Sequence, residues 1–213
     1  MRSTKTWRQT AVCLHILTSV GWMTLAVVLF TLMAAAALEP SVRGSALSMA
    51  ELLDLRLLAP LGNASAFTGF LLCAATPWGF FRHWWVLTKF AITIVQLNAG
   101  IFLLSPSLHA AADAARAGDP LPSPALRLAG TACMAAAMAF QAWLSQTKPW
   151  PRTPWTVAVK RPTGPAWTFA CAVGAPLLDI AVGAALGFPL PLLSAALLTV
   201  LLVRMRRVAM RAG

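Results

Sequence analysis

Residues 76–100, TPWGFFRHWWVLTKFAITIVQLNAG, decide the fold. A hydrophobic run ends at Pro77, and a turn of Phe80, Phe81, Arg82, His83, Trp84 and Trp85 follows. A second hydrophobic run then begins, with Lys89 inside its first turns. Aromatic rings beside Arg and Lys belong at a membrane–water boundary. The stretch therefore reads as a tight hairpin between two membrane helices, with its turn at the headgroup level.

The rest of the chain agrees. Of 213 residues, 59% are hydrophobic and 11% are charged, where a soluble domain carries about 25% charged residues. Several uncharged runs exceed the length needed to span a bilayer. The expected fold is all-α, a multi-pass transmembrane helix bundle in lipid. The net charge of +11 sits at the ends of the hydrophobic runs, where it sets topology. It makes no surface suited to nucleic acid, which is excluded as a partner. Cys13, Cys73, Cys133 and Cys171 all fall inside hydrophobic runs without a CxxC pair, so neither a disulfide framework nor a metal site is expected.

Six helices are predicted, over about 11–36, 52–76, 85–104, 125–143, 167–186 and 191–204. The last two are separated at Gly187-Phe-Pro-Leu-Pro191, because one helix over 166–203 would be about 57 Å long. Residues 39–51 read as a loop, and residues 105–124 as a loop with a helical piece at 108–117. The apolar run 11–38 is too long for a signal peptide and is expected to stay as the first helix. Three regions follow: a four-helix core over 1–145, a basic Pro-rich cytoplasmic loop over 146–165, and a C-terminal hairpin with a basic tail over 166–213. This arrangement puts thirteen of the seventeen Lys and Arg residues on the side of both termini. Only Arg43, Arg56, Arg116 and Arg127 lie opposite.

Chemistry is expected where ionisable groups enter the bilayer, namely His15, Lys89 and Asp179. Lys89, Thr93, Gln96 and Gly100 recur at i, i+4, i+7 and i+11, which is one polar seam on one helix face. His15, Thr18, Ser19 and Trp22 likewise share a face. His15 and Lys89 both lie about one turn inside the cytoplasmic boundary, so they are expected to meet in one pocket. Two plainer readings stay open: Lys89 snorkelling to the headgroups, and His15 bonding a neighbouring helix. Asp179 lies on a small-residue face with Gly183 and Gly187, where a packing role leads over a titrating one. Gly62, Ser65, Gly69 and Thr76 form a second small, slightly polar stripe, suited to close helix approach. Met134 and Met138 with Cys133 read as gap fillers before they read as copper ligands.

LHILTSVGWMTLAVVLF and HWWVLTKFAITIV resemble the two signature segments of the CopD-like membrane superfamily, which includes copper-resistance CopD domains and HemJ-type protoporphyrinogen oxidases. The longer stretch LGNASAFTGFLLCAATPWGFFRHWWVLTKF resembles an uncharacterised actinobacterial family of that group. The resemblance covers about residues 8–105. It implies that His15 and Lys89 are functional and linked to haem or porphyrin. Those relatives carry a further histidine late in the third helix, where this chain has Gln96, Asn98 and Gly100. The resemblance thus implies a single histidine ligand, with Lys89 near a propionate or as a second ligand.

No activity follows from the sequence. The leading expectation is a bacterial inner-membrane protein that binds haem, porphyrin or a related redox cofactor through His15, Lys89, Thr93 and Gln96. The alternatives are a transporter or accessory subunit using the polar seam and Asp179, or a copper-handling membrane protein. A homo-oligomer or a membrane partner subunit also stays open. Topology is directly testable: reporter fusions at Gly213 and at Pro120 should give opposite signals, cytoplasmic at the first. A periplasmic signal at Gly213 would remove the C-terminal hairpin from this scheme.

Overall fold

The computed structural model describes residues 2–156, 163–187 and 189–211. Lys160 and Arg161 of the basic loop, Phe188 of the outer turn and residues 212–213 lie outside the described residues. Eight α-helices form the fold: α1 (Arg2–Leu38), α2 (Arg43–Leu53), α3 (Ala59–Ala75), α4 (Trp84–Ala99), α5 (Ser105–Ala117), α6 (Ala125–Thr147), α7 (Ala166–Leu186) and α8 (Leu192–Arg211). Single π-helical turns, Asp54–Leu58 and Gly100–Leu104, join α2 to α3 and α4 to α5. Five helical stretches are long and apolar enough to cross a membrane: Ser3–Leu38, Pro40–Ala75, Trp84–Ala117, Ala125–Thr147 and Ala166–Leu186. The apolar part of α8, Leu192–Arg204, is shorter. The all-α multi-pass bundle is therefore the fold. Large apolar side chains on its outside, such as Ile16, Leu17, Val20, Val95, Phe102 and Leu178, are the lipid-facing surface.

The structure corrects two boundaries. The first helix begins at Arg2, not near residue 11, because no proline interrupts its basic N-terminal turns. Residues 39–51 are not a loop but a short 3₁₀ turn, Pro40–Val42, leading into α2. Charge at 39–51 suggested a loop, yet Ala46, Leu47 and Ala50 are spaced to bury one helical face. They pack against Leu29, Met33 and Ala36 of α1 and Leu108, Ala111 and Ala112 of α5. The 37 residues of α1 extend for about 55 Å, well beyond the roughly 30 Å of a hydrocarbon core. α2 and α5 pack on the C-terminal end of this long helix and cap the bundle there.

The four outer arginines all have protein partners. Arg43 Nε donates to the Ala36 carbonyl at 3.0 Å, and Arg56 reaches Ala184 O at 3.5 Å. Each places a cation at a helix C-terminus, where the macrodipole favours it. Arg116 bonds Glu51 at 2.7 Å and Asp113 at 2.6 Å. Arg127 is buried and is taken up below.

At the opposite end the hairpin forms as its sequence suggests. Thr76 is extended, Gly79 adopts φ +61°, and α4 starts at Trp84. Phe70, Phe80, Phe81 and Phe90 pack edge-on around it. The Lys148 ammonium lies 5.2 Å above the Trp78 ring. The loop after α6 folds over the turn. Thr153 donates from its backbone to Arg82 O and from its hydroxyl to Phe81 O, and Trp155 Nε1 also donates to Phe81 O. The aromatic turn thus supplies both the interface belt and the anchor for that loop.

α1 and α3 are central: α6 packs on α1, α7 on both, and α8 on α3 and α7. Asp179 of α7 explains how the C-terminal hairpin closes. Its Oδ1 accepts from the Leu193 backbone N–H at 2.9 Å, and Oδ2 from Ser194 N–H at 2.9 Å. These are second and third residues of α8, the N–H groups an N-cap normally satisfies. Pro191 precedes the helix and has no side-chain acceptor, so the neighbouring helix supplies one. Asp179→Ala should cost about 0.5–2 kcal/mol, the range for losing a helix cap. Asp179→Asn retains one acceptor and should cost less. Chemical denaturation in detergent measures both; an Ala variant as stable as the parent would remove the capping role.

Candidate functional site

His15 lies on α1 against the small-residue stripe of α3. Its Nδ1 is 3.0 Å from both the Ser65 carbonyl oxygen and Thr68 Oγ1. Thr68 directs its own hydroxyl to Ala64 O at 2.6 Å and Ser65 O at 3.0 Å. A carbonyl only accepts, so the contact to Ser65 assigns the proton to Nδ1. Nε2 is then the lone-pair nitrogen, and among the described residues it has no hydrogen-bond partner.

The surrounding contacts form a ladder in antiparallel register. His15 faces Gly69, Ser19 faces Ser65 at 2.6 Å between hydroxyl oxygens, and Trp22 faces Gly62. A Cβ on Gly69 would lie 3.0 Å from His15 Cε1, and one on Gly62 would lie 3.0 Å from Trp22 Cε2. Each large side chain thus occupies the space of an absent one. Thr18 and Trp22 are buried, and Ser19 donates to His15 O at 2.6 Å.

Lys89, Thr93 and Gln96 stand together on α4, but their partners are on α6. Lys89 Nζ donates to Ser145 Oγ. Thr93 Oγ1 donates to Gln141 Oε1 at 3.0 Å. Gln141 Nε2 donates to Gln96 Oε1 at 2.6 Å, and Gln96 Nε2 to Met134 O at 3.1 Å. The polar seam is thus satisfied by one partner helix, and no part of it is left to hydrocarbon. Among the described residues no hydrogen bond joins His15 to Lys89, although the ammonium lies within electrostatic range of His15 and of Cys73. His15 and Lys89 therefore belong to two polar clusters, one on α3 and one on α6. Met138 is buried and Cys133 exposed; among the described residues no three His, Cys, Asp or Glu side chains group to hold a metal ion.

Two ionisable residues in the outer half escape the sequence reading. Asp54 is 6% exposed and Arg127 is 4% exposed. Both line a cavity of about 40 Å³ with Trp22, Leu104, Thr131 and Met134. Their burial comes from the two π-turns and from α5, which supplies Ser105 to Asp54 and Ser107 to Arg127. One signal was available: Arg127, Thr131, Met134, Met138, Gln141 and Ser145 alternate by four and three along α6, which places them on one face.

The chain matches no family model, no curated protein and no solved structure.

The ladder yields a test of helix approach. Gly69→Leu should destabilise the bundle by about 1–3 kcal/mol, as overpacking does, and displace His15. Gly44→Ala is the control, since nothing lies within 4 Å of a Cβ there; it should be neutral or slightly stabilising in an α-helix. Equal midpoints for the two variants would contradict the ladder.

Proposed function

We propose that this chain is a multi-pass protein of a bacterial inner membrane that binds haem or a related porphyrin through His15. One observation carries the reading. His15 gives its Nδ1–H to a backbone carbonyl and a hydroxyl on α3, leaving Nε2 as a free lone pair. Metal-ligating histidines are held in this way, with the outer nitrogen bonded to a carbonyl, carboxylate or water so that the tautomer and ring plane are fixed. Gly69 keeps the ring in place, because no side chain competes for its position. The resemblance to the CopD-like superfamily points to the same residue.

In a single-histidine site His15 would supply the ligand nitrogen, and Lys89 would complement a propionate, as the resemblance implies. Thr93 and Gln96 act on this site only through Lys89, by fixing α4 on α6. The bound group would supply redox or porphyrin chemistry; the chain supplies a fixed imidazole and a nearby positive charge.

A second reading, a transporter or accessory subunit, is favoured by the α6 face. Polar or ionisable groups recur along it from Arg127 to Ser145. These eighteen intervals of helix span about 27 Å, close to the thickness of the hydrocarbon core. Asp179 belongs to the same reading: it accepts two backbone N–H groups of α8 and also lines a second cavity with Asn63 and Ser194.

Purified protein supplemented with haem during expression tests the first reading. A Soret band should accompany the protein and disappear in His15→Ala, while Lys89→Gln should retain it with a shifted reduction potential. A colourless protein, or a band unchanged in His15→Ala, would leave the α6 reading in its place.

A further inference from the structure

The cavity in the outer half carries an inference independent of His15. It lies where the two π-turns face each other, with Asp54 and Leu58 from one and Gly100 and Leu104 from the other. α6 closes it with Arg127, Thr131 and Met134, and can approach because Gly130 leaves room for Leu104. π-turns are rare and recur at functional sites, and here two of them border one space.

The charges in this space are not paired directly. Asp54 Oδ2 accepts from Ser105 Oγ at 2.5 Å, which leaves Oδ1 without a protein donor among the described residues. Arg127 gives Nη2 to Pro122 O at 3.1 Å, and Nη1 makes only long contacts, 3.4 and 3.5 Å, to Ser107. Its Nε is buried with no partner. Among the described residues Arg116 is engaged with Glu51 and Asp113, and Arg56 with α7, while His109 stands near Asp54 with its Nε2 4.0 Å from Glu51 and without a hydrogen-bond partner. A buried guanidinium and a buried carboxylate on the walls of one cavity, farther apart than an ion pair, each cost several kcal/mol unless something links them.

We propose that this cavity is a binding site for small polar molecules that donate to Asp54 and accept from the Arg127 guanidinium, and that bound water occupies it as a bridge between the two charges. The size fits: about 40 Å³ is several times the roughly 10–15 Å³ that one water needs. The chemistry also fits, because water both donates and accepts, whereas an apolar guest would leave the two charges unbridged. The Gln96–Gln141 amide pair and the Met134 carbonyl lie between this site and the Lys89–Ser145 cluster. Bound water is therefore confined to the outer half of the bundle.

Radiolytic hydroxyl-radical footprinting of the purified full chain tests the site, because radicals arise from water beside the labelled side chain. Met33 lines the cavity and is only 3% exposed, whereas Met49 is 52% exposed. Met33 should nevertheless be oxidised at a rate comparable with Met49. The apolar double variant Asp54→Leu/Arg127→Met should dry the cavity and lower Met33 labelling about tenfold, with Met49 unchanged. Thermal midpoints give a second arm. Asp54→Asn and Arg127→Gln should each lower the midpoint, and their combination, Asp54→Asn/Arg127→Gln, should lose less than the sum of the two, since coupled sites are not additive. An unlabelled Met33 in the parent protein, or strictly additive losses, would overturn the proposal.

Discussion

The close approach of α1 and α3 is the constraint on which the rest depends. Three large or polar side chains of α1 sit over three small residues of α3, and the two hydroxyls of Ser19 and Ser65 meet between them. In lipid there is little hydrophobic gain from bringing apolar helices together, so association relies on packing and interhelical hydrogen bonds. Glycine supplies the first by letting backbones approach, and serine and histidine supply the second. Every other helix is placed relative to this pair, with α6 on one flank and the α7–α8 hairpin on the other.

A second rule runs through the bundle: polar groups in the membrane are satisfied across helices, in small closed sets. Asp179 satisfies the start of α8, Gln141 the α4 seam, and Ser65 and Thr68 the His15 ring. This follows from the cost of an unpaired donor or acceptor in hydrocarbon. Against that background the departures are informative. Thr76 Oγ1, His109 Nε2 and Arg127 Nε are buried without a hydrogen-bond partner among the described residues, and His15 Nε2 has none there either. His15 Nε2 belongs to the ligand reading and Arg127 Nε to the wall of the proposed polar site.

The two ends of the molecule differ in how they meet water. The inner end uses an aromatic turn, with Trp78 beneath Lys148 and Trp155 bonded to Phe81 O. Such rings place an apolar body and a polar tip at the headgroup level. The other end is a helical cap of α2 and α5, joined by Leu108, Ala111 and Leu47 and laced by Glu51, Asp113 and Arg116.

The sequence by itself determined the class of fold, the hairpin at 76–84, the small-residue stripe of α3 and the polar seam of α4. These are periodic or compositional features, and the bilayer makes them strict by requiring apolar length and internal hydrogen bonding. Residues 39–51 resisted reading because their charges mimic a loop while their apolar positions bury one face of α2 against α1 and α5. What the seam and His15 would face was also not legible: spacing gives the face of a helix but not the neighbour opposite it. Only the tertiary structure decided that Lys89, Thr93 and Gln96 pair with α6 while His15 pairs with α3. It alone brought Asp54 and Arg127 to one cavity, because they are 73 positions apart in the chain and meet only when the two π-turns and α6 are packed together.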